Sequence, residues 1–209
     1  MFTLVKHCHR HIAQEVIAPV APRSGAGLCY LRPMPRLFVA IRPPEPVIDA
    51  LIDTMEAVEN ARWQDEEQLH ITLAFLGDIA ERDVGDVVSA LSQVEFLPFP
   101  VTIAGTGHFE RKGLTHSIWA GIEEQPALAA LHKRVASACR PLAPDMPTRK
   151  FTPHLTLARF SRHSADIPAW LAQHSRLRLE PFTVERFALF ESHLSHGPAR
   201  YEVIEEFPY

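Results

Sequence analysis

The strongest constraint on the fold of this chain is a five-residue pattern that occurs twice. Residues 70–74 read HITLA and residues 154–158 read HLTLA, so the two copies begin 84 residues apart. Helical patterns precede and follow each copy at nearly the same offset. A duplicated unit of this length is typical of two related lobes with a binding site between them.

The predicted elements repeat in the same order. A buried strand is predicted at 37–41. After it, each half of the chain has a helix, a histidine-containing strand, a helix and further strands, in that order. The first half has a helix with apolar positions from Val47 to Val58, a strand at about 69–76, a helix from Val84 to Val94, and strands near 100–106 and 116–122. The second half has a helix opened by Pro126 with an apolar stripe of Leu128, Leu131, Val135 and Ala138, a strand at about 154–160, a short helix at 167–173, and strands at 182–192 and 200–207.

Side-chain alternation along a strand gives each copy two different faces. His70 and Thr72 point to one face of the first strand, and Ile71 and Leu73 point to the other. The second copy repeats this arrangement. A single His-x-Thr match would carry little weight in a chain with twelve histidines, because one such histidine is more often a hydrogen-bonded structural residue. Two full copies in matching places favour a functional pair.

Two histidines on either side of a cleft suit phosphodiester chemistry. One neutral imidazole can take a proton from the attacking oxygen, and one charged imidazole can give a proton to the leaving oxygen. The hydroxyls of Thr72 and Thr156 can donate hydrogen bonds to the nonbridging phosphate oxygens, where charge accumulates in the transition state. The sequence has no HExxH motif and no Asp-rich cluster, so we predict no metal and no cofactor.

Composition narrows the class of protein. A net charge of −4 argues against a protein that coats nucleic acid through a large basic face, although one phosphate needs only a local cation. No run of eighteen apolar residues exists, so no transmembrane helix is predicted. The three cysteines have no disulfide or metal-site spacing, which makes the cytoplasm the expected compartment.

Residues 1–33 differ from the rest of the chain. They contain four basic residues and only Glu15 as an acid, and prolines and glycines cluster towards their end. We interpret them as a disordered extension or an upstream start, with a single bilobal domain at 34–209. Their histidine cluster at 7–11 has a spacing too crowded for a closed tetrahedral metal site.

The two H-x-T-x motifs, at 70–73 and 154–157, resemble those of the two-histidine (2H) phosphoesterase superfamily. Within it, the chain is most similar to the bacterial RNA 2′,3′-cyclic phosphodiesterases, historically called 2′-5′ RNA ligases. The similarity extends over further stretches: PRLFVAI at 35–41, LHITLAFLG at 69–77, FTPHLTLAR at 151–159 and FALFES at 187–192. It covers residues 34–209 and nothing before them.

The resemblance implies a bilobal α+β fold, in which two antiparallel sheets face a central cleft and the helices lie outside. It implies that His70 is the proton donor and His154 the proton acceptor. It also assigns Arg159 to phosphate binding beside Thr72 and Thr156. Alternation alone would place Arg159 on the opposite face from His154, so a bulge or a strand end must redirect it.

The implied reaction is metal-independent hydrolysis of RNA 2′,3′-cyclic phosphate ends to 2′-phosphate ends. We expect RNA ends as partners, tRNA fragments among them, and a monomer that does not bind membranes. Three alternatives stay open: 2′-5′ RNA ligation or cleavage by the same histidines, hydrolysis of a small cyclic nucleotide, and a nonenzymatic RNA-end binder.

Other candidate residues have weaker support. Trp63 and Phe75 could stack on a base, but apolar packing is the more common role of such side chains. The remaining histidines of the domain have no matching partner in the repeat and are interpreted as surface or structural residues. They are His108, His116, His132, His163, His174, His193 and His196.

Overall fold

The computed structural model describes residues 34–162, 164, 166–193 and 199–209. The predicted extension at 1–33, its histidine cluster, His163 and His196 lie outside these residues. The described elements, in chain order, are β1 (Arg36–Ile41), α1 (Glu45–Ile52), β2 (Arg62–Trp63), β3 (Ile71–Asp78), a 3-10 turn (Glu81–Asp83), α2 (Val84–Leu91), β4 (Phe99–Val101), β5 (Ile103–Arg111), β6 (Leu114–Ile122), α3 (Pro126–Cys139), β7 (His154–Arg159), α4 (Ile167–Gln173), β8 (Phe182–Val184), β9 (Arg186–His193) and β10 (Arg200–Pro208).

The predicted repeat is present in the order of these elements. A helix, a histidine strand, a helix and three strands occur first as α1, β3, α2 and β4–β6, and again as α3, β7, α4 and β8–β10. The strands β4 and β8 occupy equivalent places in the two repeats and pair with each other in a two-stranded sheet. Such a pairing of equivalent elements indicates a pseudo-twofold relation between the halves.

Two antiparallel half-sheets meet where the histidine strands begin. The first half-sheet has the order β10-β9-β1-β3, and the second has the order β7-β6-β5, with β2 paired to the edge of β7 that faces β3. A single residue pair, Ile71 and Leu155, joins β3 to β7. From this pair the two strands run in opposite directions, and β3 and β7 share no further pairing. The predicted α+β class with two antiparallel lobes is confirmed.

Each half-sheet contains strands from both repeats. The strands β5 and β6, which follow β3 in the chain, pair on β7, whereas β9 and β10, which follow β7, join β1 and β3. The strand β1 has no counterpart in the second repeat and lies between β3 and β9. The lobes are therefore formed by exchange of strands between the repeats.

The main core lies on the face of the sheet opposite the two motif histidines. It joins alternate strand residues, such as Ile71 and Leu155, to the buried residues of all four helices. The other face has a small cluster of its own, formed by Phe38, Ala40, Ala188 and Phe190. The helices therefore cover the outer face, as predicted, and leave the histidine face open.

The helices differ from the sequence prediction in three details. The helix α2 ends at Leu91 rather than at Val94. The first helix ends at Ile52 rather than near Val58, because the Thr54 hydroxyl and amide both bond the Leu51 carbonyl and Ala57 adopts a φ of 57°. In α3 the fourth buried residue is Cys139 and not Ala138. None of the described helices has the length and apolarity that crossing a membrane requires.

Candidate active site

The five site residues predicted from sequence line one cavity of about 540 Å³ on the histidine face of the sheet. They are His70, Thr72, His154, Thr156 and Arg159. They lie on β7 and on β3 with the residue just before it, on either side of the pair formed by Ile71 and Leu155. The cavity is large enough for a nucleotide and open enough to admit a longer chain.

Both motif histidines are held by the same local hydrogen bond. The Nδ1 atom of His70 lies 2.7 Å from the Gln68 carbonyl oxygen, and that of His154 lies 2.7 Å from the Thr152 carbonyl oxygen. A carbonyl can only accept, so each Nδ1 carries the hydrogen and donates it. The Nε2 atom of each ring is therefore the one free to take or give a proton in the cavity.

Aromatic rings surround each imidazole. The ring of His70 lies 4.9 Å from Phe38 and 5.3 Å edge-on from Tyr201, between ring centroids. The ring of His154 lies 4.9 Å edge-on from Phe109 and 5.9 Å from Trp119. These rings fix the orientation of the imidazoles and exclude water from part of their surface.

Desolvation by these neighbours governs the acidity of both histidines. Burial lowers the pKa of His70 from 6.5 to about 4, with the positive charge of Arg159 and the neighbouring His154 adding to the effect. Burial also lowers the pKa of His154, and Arg159 again contributes. The hydrogen bonds to the Gln68 and Thr152 carbonyls oppose both shifts. Both imidazoles are therefore neutral at pH 7 in the free protein.

A β-bulge brings Arg159 to the same face as His154. On the neighbouring strand β6, Trp119 pairs with Thr156 and Ile118 pairs with Ala158, so Leu157 has no partner. The extra residue reverses the alternation, and Arg159 lines the cavity. Of the two alternatives that the sequence left open for this residue, a bulge or a strand end, the structure has the bulge.

The first repeat has a bulge at the equivalent place. Along β1, Ala40 pairs with Thr72 and Val39 pairs with Ala74, which leaves Leu73 unpaired. This bulge turns Phe75 towards the cavity, where its side chain is 41% exposed. Phe75 thus occupies the place in the first repeat that Arg159 occupies in the second. The cavity is apolar at one of these two positions and cationic at the other.

Among the described residues, the cavity lining is cationic or neutral. Besides the five predicted residues, its polar and titratable members are His116, Ser117, His132, Arg140, Thr148, Arg149, Lys150, Thr152 and Tyr201. No Asp or Glu of the described ranges belongs to this lining. The local field favours an anion even though the chain as a whole is acidic.

Two of the histidines interpreted as surface or structural residues lie in this cavity. His132 bonds the Leu73 carbonyl with its Nδ1 at 2.7 Å and stacks on Phe151 at 3.9 Å between ring centroids, so it fills the gap beyond the β3–β7 junction. His116 lines the cavity next to Arg159. The contacts of His132 agree with its interpretation as a structural residue. The position of both histidines in the cavity was not predicted, because neither belongs to the repeated motif.

The two aromatic candidates have different environments. Trp63 packs on Trp170, with 6.1 Å between ring centroids, and belongs to the edge of the main core, as predicted. Phe75 stacks on Phe38, with 5.6 Å between ring centroids, but part of its surface is exposed to the cavity, so the expected apolar packing holds for only part of this side chain. No group of three or more His, Cys, Asp or Glu side chains in the described residues is arranged to hold a metal ion.

Comparison with known proteins agrees with the motifs. A model of the 2′-5′ RNA ligase superfamily matches residues 43–195, which is well over half of the chain. The chain belongs to this superfamily. The resemblance seen in the two H-x-T-x motifs is thereby confirmed.

Relatives and a solved structure support the same assignment. A Thermus thermophilus protein named RNA 2′,3′-cyclic phosphodiesterase is 32% identical over 82% of this chain and 89% of its own length. A Geobacillus stearothermophilus protein of the same name is 30% identical over 75% of this chain, and the chain spans half of that relative's length. The crystal structure of TT0787 from Thermus thermophilus superposes with a TM-score of 0.71 at 27% identity, over 83% of this chain and 97% of that one.

Several residues around the histidines were missed at the sequence level. Phe38, Phe109, Trp119 and Tyr201 surround the imidazoles but come from strands distant in sequence. Their roles depend on strand order, which the sequence pattern does not specify. Phe75 is different, because its offset of 84 residues from Arg159 is a signal that the repeat itself contains.

Proposed function

We propose that this protein is a metal-independent phosphodiesterase that hydrolyses RNA 2′,3′-cyclic phosphate ends to 2′-phosphate ends. The observation that carries the proposal is the matched pair of imidazoles, each held through Nδ1 and presenting Nε2 to one anion-favouring cavity. The names of the relatives indicate the same substrate class.

In the proposed reaction the Nε2 atom of His154 takes a proton from the attacking water as the new P–O bond forms. The bond between phosphorus and the 3′ oxygen breaks, and the Nε2 atom of His70 gives its proton to that oxygen. The products are a 2′-phosphate and a free 3′ hydroxyl. The assignment of the two roles and of the broken bond comes from the family resemblance, because a pair of equivalent histidines does not distinguish them.

Three side chains would stabilise the developing charge on phosphate. The hydroxyls of Thr72 and Thr156 lie two residues along each strand from the histidines and line the same cavity. Arg159 adds a fixed positive charge from the bulged end of β7. Donors that are placed before the reaction need no reorganisation in the transition state, which is where their effect is largest.

The low histidine pKa values constrain how the donor becomes charged. In the free protein His70, with its pKa of about 4, holds a second proton only near or below that pH. A cyclic phosphodiester carries one negative charge, and its placement between the rings raises the pKa of both. The substrate itself therefore promotes the protonated state that the leaving oxygen requires.

The test is a synthetic RNA that ends in a 2′,3′-cyclic phosphate, incubated with the protein in the presence of EDTA. We expect its conversion to an RNA with a 2′-phosphate end, identified by chromatography against both phosphate isomers and by phosphorus NMR. A dominant 3′-phosphate would overturn the regiochemistry alone. Retention of the cyclic end would overturn the function, and dependence of turnover on added metal ions would overturn the mechanism.

The same assay separates the alternatives. Joining of a cyclic-phosphate end to a 5′-hydroxyl RNA would indicate the 2′-5′ ligase activity, which uses the same two histidines in reverse. Faster hydrolysis of a cyclic mononucleotide than of an RNA end would indicate a small-molecule phosphodiesterase. Binding without turnover would indicate an RNA-end binder. We expect the activity to belong to a cytoplasmic monomer, with tRNA fragments among its substrates.

A further inference from the structure

A second cationic cavity adjoins the candidate active site. It has a volume of about 690 Å³ and shares His116, Arg149 and Arg159 with the first cavity. Its remaining lining is Arg62, Glu110, Arg111 and Phe160. Four guanidinium groups therefore surround a space that opens directly from the cavity of the two motif histidines.

Two of these arginines are direct neighbours across strands. Arg62 on β2 pairs with Arg159 on β7, and Ser117 on β6 pairs with Arg159 from the other side. Directly opposed residues of an antiparallel pair lie on the same face, and like charges in such positions destabilise the sheet. A bound anion would remove this repulsion.

The four arginines of the second cavity are also not neutralised by carboxylates of the described residues. In the described part of the chain none of the four forms an ion pair with a carboxylate. Glu110 is the single acid in the lining, and its carboxylate lies 3.3 Å from His108. By contrast, Arg178 and Arg186 elsewhere on the surface each lie 3.0 Å from a glutamate.

We propose that Arg62, Arg111 and Arg149 form a second phosphate subsite that binds the phosphodiester on the 5′ side of the terminal ribose. The proposal rests on the proposed function, in which the terminal cyclic phosphate lies between His70 and His154. The next phosphate of an RNA chain is the nearest further anion on such a substrate, and a cyclic mononucleotide has none. The subsite would make the protein prefer RNA ends to cyclic mononucleotides.

The test compares two substrates in wild-type protein and in the variant Arg62→Gln/Arg111→Gln. One substrate is a short RNA with a 2′,3′-cyclic phosphate end, and the other is the matching cyclic mononucleotide. We expect kcat/KM for the RNA, divided by kcat/KM for the cyclic mononucleotide, to fall by at least about tenfold in the variant, because charge-assisted contacts to one phosphate are lost. The slope of log kcat/KM for the RNA against log salt should become shallower by about 0.7.

The matched control is Arg186→Gln, which removes the same charge from an ion-paired arginine outside both cavities. It should leave the substrate ratio and the salt slope at their wild-type values. An unchanged ratio in the double variant, or an equal fall in the control, would overturn the subsite while the proposed function stands.

Failure of the proposed function has a different signature. If wild-type protein cleaves neither substrate, the Kd for a fluorescent RNA with a 2′-phosphate end tests the subsite by itself. Weaker binding by the double variant than by Arg186→Gln would support the subsite as an RNA-binding feature. Equal Kd values would overturn it as well.

Discussion

At the scale of single residues, the two motif histidines combine fixed orientation with low basicity. Each imidazole donates Nδ1–H to a carbonyl two residues earlier in the chain, at 2.7 Å in both copies. Contacts with the aromatic rings also orient the imidazoles, and the resulting burial lowers their pKa values. In the proposed mechanism, these orientations suit proton transfer, and the bound anionic substrate would have to raise the pKa values to give the charged form.

Removal of either imidazole should abolish most of the activity. We expect His70→Ala and His154→Ala each to lower kcat by about two to four orders of magnitude, the usual effect of losing a positioned acid or base. His193→Ala is the control, because this histidine lies between Glu191 and Glu202 and lines neither cavity. Circular dichroism should show that all three variants fold. Near-normal turnover in either motif variant would refute the assignment.

Phosphate stabilisation should depend on the two threonine hydroxyls and on Arg159. We expect Thr72→Val, Thr156→Val and Arg159→Ala each to raise the activation free energy by roughly 1–4 kcal/mol, measured as kcat/KM on the cyclic end. Thr72→Ser and Thr156→Ser keep the hydroxyl and should recover most of the loss. If valine and serine variants behaved alike, the threonines would have only a packing role.

The pH dependence of kcat/KM should report the low histidine pKa values. The proposed mechanism requires one neutral and one charged imidazole, so we expect a bell-shaped profile whose two apparent pKa values belong to the coupled pair of histidines. Its acid limb should lie near the pKa of about 4 for His70, and its alkaline limb should lie below 6.5, since the pKa of His154 is also lowered. Bound phosphate favours the charged form, so the alkaline limb of kcat should lie at higher pH than that of kcat/KM. An alkaline limb of kcat/KM above about pH 7 would contradict the desolvation of the pair.

At the scale of elements, the matched bulges at Leu73 and Leu157 define the chemistry of the site. Each adds one residue to a histidine strand and turns the side chain two positions later towards the cavity. The sequence pointed to a bulge or a strand end before Arg159, because the resemblance assigned Arg159 to phosphate binding whereas simple alternation placed it on the face opposite His154. It contained no such indication at Phe75, since an aromatic residue is acceptable on either face. The difference between the two positions is that a phosphate-binding role was assigned to Arg159 and none to Phe75.

The strands β5 and β6 approach each other closely near His154. A Cβ atom on Gly107 would lie 2.3 Å from the ring of Trp119, which in turn packs near His154. We expect Gly107→Ala to displace this ring, to cost about 1–3 kcal/mol of unfolding free energy, and to lower kcat more than it raises KM. Chemical denaturation and steady-state kinetics would measure these effects.

Gly85→Ala is the matched control for that substitution. Gly85 lies in α2, and a Cβ atom there meets nothing within 4 Å. The same change should therefore stabilise the protein by about 0.5–1 kcal/mol, because alanine is the better helix former. If both glycine variants changed the unfolding free energy in the same direction, the predicted clash between a Cβ atom at position 107 and Trp119 would be contradicted.

At the scale of the whole molecule, the order of elements was predictable but the exchange of strands was not. Periodicity and the duplicated motif predicted all four helices and most of the strands in the described residues. The prediction lacked β2, and it gave β4 with β5, and β8 with β9, as single strands. Nothing in a local pattern shows that β5 and β6 pair on β7, or that β9 and β10 complete the sheet of β1 and β3. Strand order depends on contacts between residues far apart in sequence. The aromatic rings around the histidines and the arginines of the second cavity are also brought together by strand order. The sequence therefore predicted the motif residues but not these neighbours.

The start of the domain can be tested by truncation. The family match begins at residue 43, and β1, which begins at Arg36, is central in the first half-sheet with its last five residues buried. The sequence at 1–33 has no apolar periodicity and is rich in proline and glycine towards its end. Deletion of residues 1–33 should therefore change the unfolding free energy by less than about 1 kcal/mol, or Tm by less than about 4 °C, and leave kcat/KM nearly unchanged. Deletion of residues 1–41 is the contrasting variant, because it removes β1 from between β3 and β9. This variant should not fold, so it should show no cooperative unfolding transition. Calorimetry and the cyclic-phosphate assay on both truncations would decide the matter, and a large fall in Tm for the shorter deletion would place the start of the domain before residue 34.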